Sequence, residues 1–307
     1  MENIYEVMTY DEKIAFSLRS LYAQNGYNKY RMSKFEEYDL YVKNKDFLVS
    51  GNVITFTDTD GRLMALKPDV TLSIIKNSKD NPNELMKVYY NEHVYRVSKG
   101  THSFKEIMQA GVECLGKVDN GVIASVLDLA KASLNKVSSS CALEISNLGI
   151  VEAVLDACGF TKSEKREIVV ALGEKNEQLI KEHCLRKELS ASLTDTVTKL
   201  VSVYGNCDKV LPLLDCFAIS SECEKEIQSL RAIIATMKNT DGVIIDFSVT
   251  GDMRYYNGIS FKGFVEGVPV SVLSGGQYDK LMAKMGRKSG AIGFAVYLDE
   301  LDRSEGR

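Results

Sequence analysis

The 307-residue chain contains no tryptophan, four prolines and three histidines. So little proline excludes a Pro-rich linker or a collagen-like repeat. Three histidines (His93, His102 and His183) are too few and too scattered for a His-based metal cluster. The seven cysteines, Cys114, Cys141, Cys158, Cys184, Cys207, Cys216 and Cys223, are odd in number and contain no CxxC pair. That pattern fits neither a disulfide scaffold nor a zinc site and reads as buried or half-buried thiols in a reducing cytoplasm. There is no excess of positive charge: 38 basic against 42 acidic residues leave a net charge of −4, so nucleic acid is not an expected partner. No apolar run approaches the ~20 residues of a membrane span, and the opening MENIYEVMTYDEK has no apolar signal-peptide segment. What the chain does have, 45% hydrophobic and 26% charged residues, is globular composition.

The pattern changes twice along the chain. Residues 10–25 carry Ile14, Ala15, Leu18, Leu21 and Tyr22 at helical spacing, with Asp11 as the expected cap and Gly26 as the stop. The tyrosine-rich stretch 27–42 reads as extended. Residues 52–66 read as a hairpin turning at Asp60-Gly61. A short helix over 69–77 follows, entered through Pro68 and capped by Asp69 or Thr71. Residues 87–97 and 106–116 alternate as two paired strands around a polar loop. From about 120 to 240 apolar residues recur at helical spacing, and strands return after Asn239. Segregated strands and helices predict an α+β fold with an antiparallel sheet. Residues 1–120 and 240–307 form its core, and 121–239 form a mainly helical insertion.

Six segments stand out: LKPDVT (66–71), YRVSKG (95–100), QAGVE (109–113), MRYYNGISF (253–261), SGGQYD (274–279) and GFAVYLDEL (293–301). Alone, each has an ordinary structural meaning: a cap at Asp69, a tight turn at Gly275-Gly276, a strand pair at Tyr255-Tyr256. Glu113 is less ordinary, because a carboxylate between Val112 and Cys114 in a strand needs a partner.

In this order and spacing, the set resembles the catalytic core of histidyl-tRNA synthetase, a class II synthetase, over nearly the whole chain. YRVSKGTHSFKEIMQAGVE is similar to class II motif 2, GFAVYLDEL to motif 3, and MRYYNGISF and SGGQYD to the histidine-specific motifs. The resemblance implies a class II aminoacyl-tRNA synthetase-like antiparallel sheet flanked by helices. It also implies a pocket in which Asp69, Thr71 and Gln109 hold an α-ammonium while Glu113, Tyr255 and Tyr256 hold an imidazole. Arg96 is the retained motif 2 arginine.

The departures are as informative. The arginine expected before the Tyr-Tyr pair is Gly251, and the arginine expected at the end of motif 3 is Glu300. Adenylyl chemistry depends on positive charge where negative charge develops. These two replacements, with Tyr297 beside the nucleotide position and Ser103 at a basic position of the motif 2 loop, therefore predict a core without ATP chemistry. The anticodon-binding domain of a synthetase is not expected in a chain ending at Arg307.

The combination resembles the regulatory subunit of ATP phosphoribosyltransferase. That resemblance implies a cytoplasmic, non-catalytic partner of the short-form catalytic subunit, with no cofactor, free histidine as effector and a self-dimer. Ser33 replaces a proline of the family's dimer motif. The alternatives are a truncated histidyl-tRNA synthetase-like enzyme and a histidine-sensing paralogue.

Overall fold

The computed structural model describes residues 6–48, 53–98, 102–251 and 255–305. Asn52 of the expected hairpin, residues 99–101 of the motif 2 loop, and Met253 and Arg254 lie outside the described residues.

The first half runs α1 (Tyr10–Gln24), β1 (Asn28–Lys29), β2 (Phe35–Glu37), α2 (Tyr38–Lys43), β3 (Thr55–Thr57), β4 (Leu63–Leu66) and α3 (Val70–Asn77). The long strands β5 (Leu85–Val97) and β6 (Phe104–Gly116) follow, then α4 (Asn120–Val137) and β7 (Cys141–Asn147). The middle holds α5 (Leu148–Ala157), α6 (Lys162–Gly173), α7 (Glu177–Arg186), α8 (Ala191–Lys199), β8 (Tyr204–Asn206), α9 (Cys207–Val210) and α10 (Ser221–Thr236). The last part is β9 (Val243–Asp246), β10 (Ile259–Val265), β11 (Leu273–Gln277), α11 (Asp279–Lys284), β12 (Gly290–Tyr297) and α12 (Leu298–Glu305).

Nine strands form one sheet in the order β1-β5-β6-β12-β11-β10-β7-β9-β8, and β2-β4-β3 form a second, small sheet. The β1–β5 and β7–β9 pairs are parallel, and the central pairings from β5 to β7 are all antiparallel. The expected class II-like sheet is therefore present with parallel pairs added toward its two ends.

The large sheet separates two cores. On one face, Val112, Cys114, Phe294 and Val296 pack against α1 and α4. The stripe Ile123, Val126, Leu127, Ala130 and Leu134 buries one side of α4, whose start is capped by Asp119 accepting from the Val122 N–H at 3.0 Å. The other face carries Val88, Tyr90, Leu115 and Ala291 under α3, α11 and the small sheet. The candidate site is on this second face.

Three local expectations need correction. The cap of α1 is Thr9, whose backbone N–H donates to the Glu12 carboxylate at 2.9 Å, with Asp11 one residue inside the helix. Within the stretch read as extended, Tyr38–Lys43 is a helix, because Tyr41 at its centre is fully buried against the second core. The stretch 121–239 contributes two strands as well as its helices: β7 lies between β10 and β9, and β8 forms an edge. Cys141–Asn147 is too short and too flanked by helical pattern for its alternation to be read; pairing over seven residues with β10 makes it a strand. Helices α5 to α10 thus lie between the parallel neighbours β7 and β9. Five of the seven cysteines are buried thiols and Cys141 is half-buried, as expected, whereas Cys216 is exposed. Among the described residues no helix is long and apolar enough to cross a membrane.

Candidate functional site

The site begins with an alternation in β6. Period-two geometry places Gln109, Gly111 and Glu113 on one face. Their register partners on β12 are Tyr297, Ala295 and Gly293, and on β5 Glu92, Tyr90 and Val88. Three glycines make the room. A Cβ at Gly293 would stand 1.7 Å from Glu113 Oε2, so the Glu113 carboxylate leans across β12 over bare backbone. A Cβ at Gly111 would stand 2.5 Å from the Tyr90 hydroxyl. On β11, Gly276 makes the same space for the Tyr256 ring, 2.6 Å from where its Cβ would be. Gly275 points to the other face, toward Phe261 and Phe294.

Glu113 is 2% exposed. Thr71 Oγ1 donates to its Oε1 at 2.7 Å, and the Tyr278 hydroxyl donates to its Oε2 at 2.5 Å. Burial raises the carboxyl well above its ordinary 4.5, to about 8; the two hydroxyl donors pull it down and the neighbouring Asp69 adds to the rise. At neutral pH Glu113 therefore carries a proton.

Asp69 caps α3, accepting from the Leu72 N–H at 2.9 Å, so one residue serves the helix start and the pocket. Its carboxyl is raised by burial, which the backbone donors and the Arg96 charge partly offset. Arg96 Nε donates to the Pro68 carbonyl at 3.1 Å and so ties β5 to the loop carrying Asp69. Beneath that loop, Lys67 is fully buried with its Nζ 3.1 Å from Glu92. Burial lowers the lysine and Glu92 opposes this.

Aromatic rings form the walls. Tyr255 meets Tyr256 at 4.9 Å between centroids, Tyr278 at 5.7 Å and Phe47 at 6.3 Å. Together these groups enclose a cavity of about 340 Å³, and Asp69, Thr71, Arg96, Gln109, Glu113, Tyr255 and Tyr256 all line it. The convergence of residues from positions 69 to 256 is the structure's main statement about the site.

The two positions at which the resemblance calls for arginine lie differently. Gly251 lines the cavity with φ +53°, and a Cβ there would be 2.9 Å from Ser260 Oγ and 3.0 Å from the Tyr256 ring. Glu300 is half-buried in α12 and is not among the lining residues. Tyr297 lines the cavity, and its hydroxyl is 2.5 Å from Ser274 Oγ. A wider groove of about 720 Å³ lies beside α4 and the start of β7. It lacks this buried donor–acceptor set, and its Lys131 is already bonded to the Cys141 carbonyl at 2.9 Å.

Sequence reasoning missed Tyr278, Tyr90, Ser260, Lys262 and Ser274, which also line the cavity. Tyr278 follows the two glycines of SGGQYD, and Lys262 interrupts the apolar strand ISFKGFV; both were available signals.

The histidyl-tRNA synthetase family model matches residues 6–301. The ATP phosphoribosyltransferase regulatory subunit of Acetivibrio thermocellus is 26% identical over 294 residues, covering 91% of this chain and 68% of that protein. That of Bacillus cereus strain G9842 is 25% identical over 311 residues, covering 97% and 73%. Among solved structures, an ATP phosphoribosyltransferase regulatory subunit/histidyl-tRNA synthetase from Bacillus halodurans superposes with a TM-score of 0.81 at 22% identity, covering 96% of this chain and 78% of that one. The ATP phosphoribosyltransferase (HisG:HisZ) complex of Thermotoga maritima gives 0.73 at 19% identity, covering 95% and 98%. Histidyl-tRNA synthetase from Nostoc gives 0.78 at 17%, covering 95% and 70%. The fold is thus that of the class II histidyl-tRNA synthetases, and the match over residues 6–301 makes this chain a member of the histidyl-tRNA synthetase family.

Proposed function

We propose that the chain is a regulatory subunit of ATP phosphoribosyltransferase, serving the first step of histidine biosynthesis, and that it senses free histidine without chemistry of its own. The regulatory role is supported by the relatives, which carry that name over more than nine-tenths of this chain. The observation that carries the histidine part is the convergence of seven side chains on one cavity with a proton-bearing Glu113 at its base.

An imidazole is a base of pKa ~6.5 in water. Against a base of that strength Glu113 keeps its proton, and its O–H donates to the unprotonated nitrogen of the entering ring. The tyrosine walls suit a flat ring, and Asp69, Thr71 and Gln109 offer acceptors to the α-ammonium. The absence of catalysis is argued from charge. Gly251 puts no cation on the cavity wall, and the Tyr297–Ser274 contact closes space on the nucleotide side.

The catalytic partner is a short-form ATP phosphoribosyltransferase, and the setting is the cytoplasm. Self-association into a dimer is part of the same reading. Phe35 and Phe56 meet at 5.3 Å on the small sheet and are 47% and 38% exposed, an apolar patch that a second copy would cover. Histidine control requires different affinities for histidine in the active and inactive complexes; ~1–3 kcal/mol of coupling gives 5–150-fold effects. The test is to purify the chain with the short-form enzyme, follow co-elution by size exclusion and measure N1-phosphoribosyl-ATP formation against histidine. A complex whose rate responds to histidine is expected; no complex, or no change in rate, sinks the regulatory reading.

A further inference from the structure

Strand β10 brings an unassigned cation to the cavity. Ser260 and Lys262 alternate onto the site face of the sheet, and both line the cavity. Lys262 is paired in register with Ser274 on β11, which is paired with Ala295 on β12, which is paired with Gly111 on β6. Between the lysine and the Glu113 strand the floor is Ser274, Ala295 and Gly111, with the Tyr297 hydroxyl on Ser274 and the Tyr90 ring over Gly111 as its aromatic flanks. The Glu113 carboxylate leans over Gly293 of β12, so it is two strand intervals, about 10 Å, from the β10 backbone. Lys262 and the Glu113 carboxylate therefore line the same cavity from opposite sides of β11 and β12.

The charges around the cavity divide unevenly. Among the described lining residues the cations are Arg96 and Lys262 and the carboxylates are Asp69 and Glu113. Arg96 is held to the Asp69 loop through the Pro68 carbonyl. Lys262 stands at the far end from Glu113. Its other neighbour is Glu144, its register partner on β7, with Lys175 and Asp246 beyond. Glu144 is not a cavity residue, so the lysine lies between an outer carboxylate and the open end of the pocket.

We propose that Lys262 binds the α-carboxylate of the amino acid in this cavity. It makes the site select the free amino acid over its decarboxylated or reduced analogues. This rests on the histidine-binding reading above. The full-length chain is titrated by calorimetry with L-histidine, L-histidinol and histamine, in the wild type and in K262M and K262R. The wild type is expected to bind histidine at least ~10-fold more tightly than histidinol or histamine. K262M should lower histidine affinity to the histidinol level and leave histidinol unchanged, while K262R keeps most of the preference. If the wild type binds histidine and histidinol equally, or K262M retains the preference, the lysine assignment is overturned and the histidine site stands. Equal losses for all three ligands in K262M make the residue structural and also overturn it. If the wild type binds none of them, the histidine reading itself fails.

Discussion

The two ends of the cavity are built on opposite principles. At the inner end Glu113 is surrounded by committed partners: Thr71 and Tyr278 both donate to it, and Gly293 yields space to its carboxylate. At the outer end the lining includes Gly251, Ser274, Tyr297 and Lys262, and the described contact between Tyr297 and Ser274 is between two neutral hydroxyls. The inner end is a buried acid held by hydroxyl donors, and the outer end is bare backbone, neutral hydroxyls and a lysine.

The most severe test of this contrast is catalysis itself. Histidine-dependent pyrophosphate exchange should lie on the order of 10³-fold or more below that of a competent synthetase, since single losses of positioned charge already cost 10²–10³. A rate near the synthetase level would erase the difference between the two ends.

At the inner end, Glu113→Gln replaces the carboxylic acid that donates to the ring nitrogen by a weaker amide donor. Histidine affinity should fall by about 0.5–1.5 kcal/mol, roughly 2- to 10-fold, by calorimetry. Equal affinity in the variant would take Glu113 out of the ligand contact.

The same carboxylate sharpens the comparison through pH. Its folded pKa of about 8 lies above the ordinary 4.5. Between those values the native state keeps a proton that the unfolded chain has released, so this contribution to stability is full below about 4.5 and lost as pH rises through 8. The ligand-free wild type should therefore lose Tm between pH 6 and 8.5 by more than Glu113→Gln does. Parallel curves for the two proteins would show that Glu113 titrates normally.

Tyr278→Phe deletes one of the two hydroxyl donors while keeping the ring. A loss of about 0.5–1.5 kcal/mol in stability above pH 8 is expected, where the carboxylate is charged and needs the donor most, with a smaller loss below pH 6. Thermal unfolding at the two pH values measures it.

The mildest change belongs to the outer end. Tyr297→Phe should leave histidine affinity within about twofold, because the lost hydrogen bond lies between neutral groups away from the ring site. A large loss would move the ligand outward.

Much of this was legible without coordinates. The α3 cap at Asp69, the Asp60-Gly61 turn between β3 and β4, and the pairing of the two long strands follow from local chemistry that needs only neighbours in sequence. The candidate residues were legible because strand alternation exposes a misplaced charge: Glu113 stands out between two apolar residues. Strand β7 was hidden because its identity depends on β10, more than 100 residues later, and α2 because burial of Tyr41 overrides extended-chain propensity.

By itself, the sequence determined the chemistry available: which carboxylates, tyrosines and glycines exist, and that Gly251 and Glu300 stand where the resemblance calls for arginines. Only the tertiary structure decided how they act. Folding placed Tyr278 on Glu113 across 165 residues of chain and put Gly293 beneath that carboxylate. Taking the group out of water then moved it to about 8, a value that no local run of residues encodes. The reason is that hydrogen bonding, desolvation and shape are properties of neighbours in space, and β6, β11 and β12 become neighbours only when the sheet closes around them.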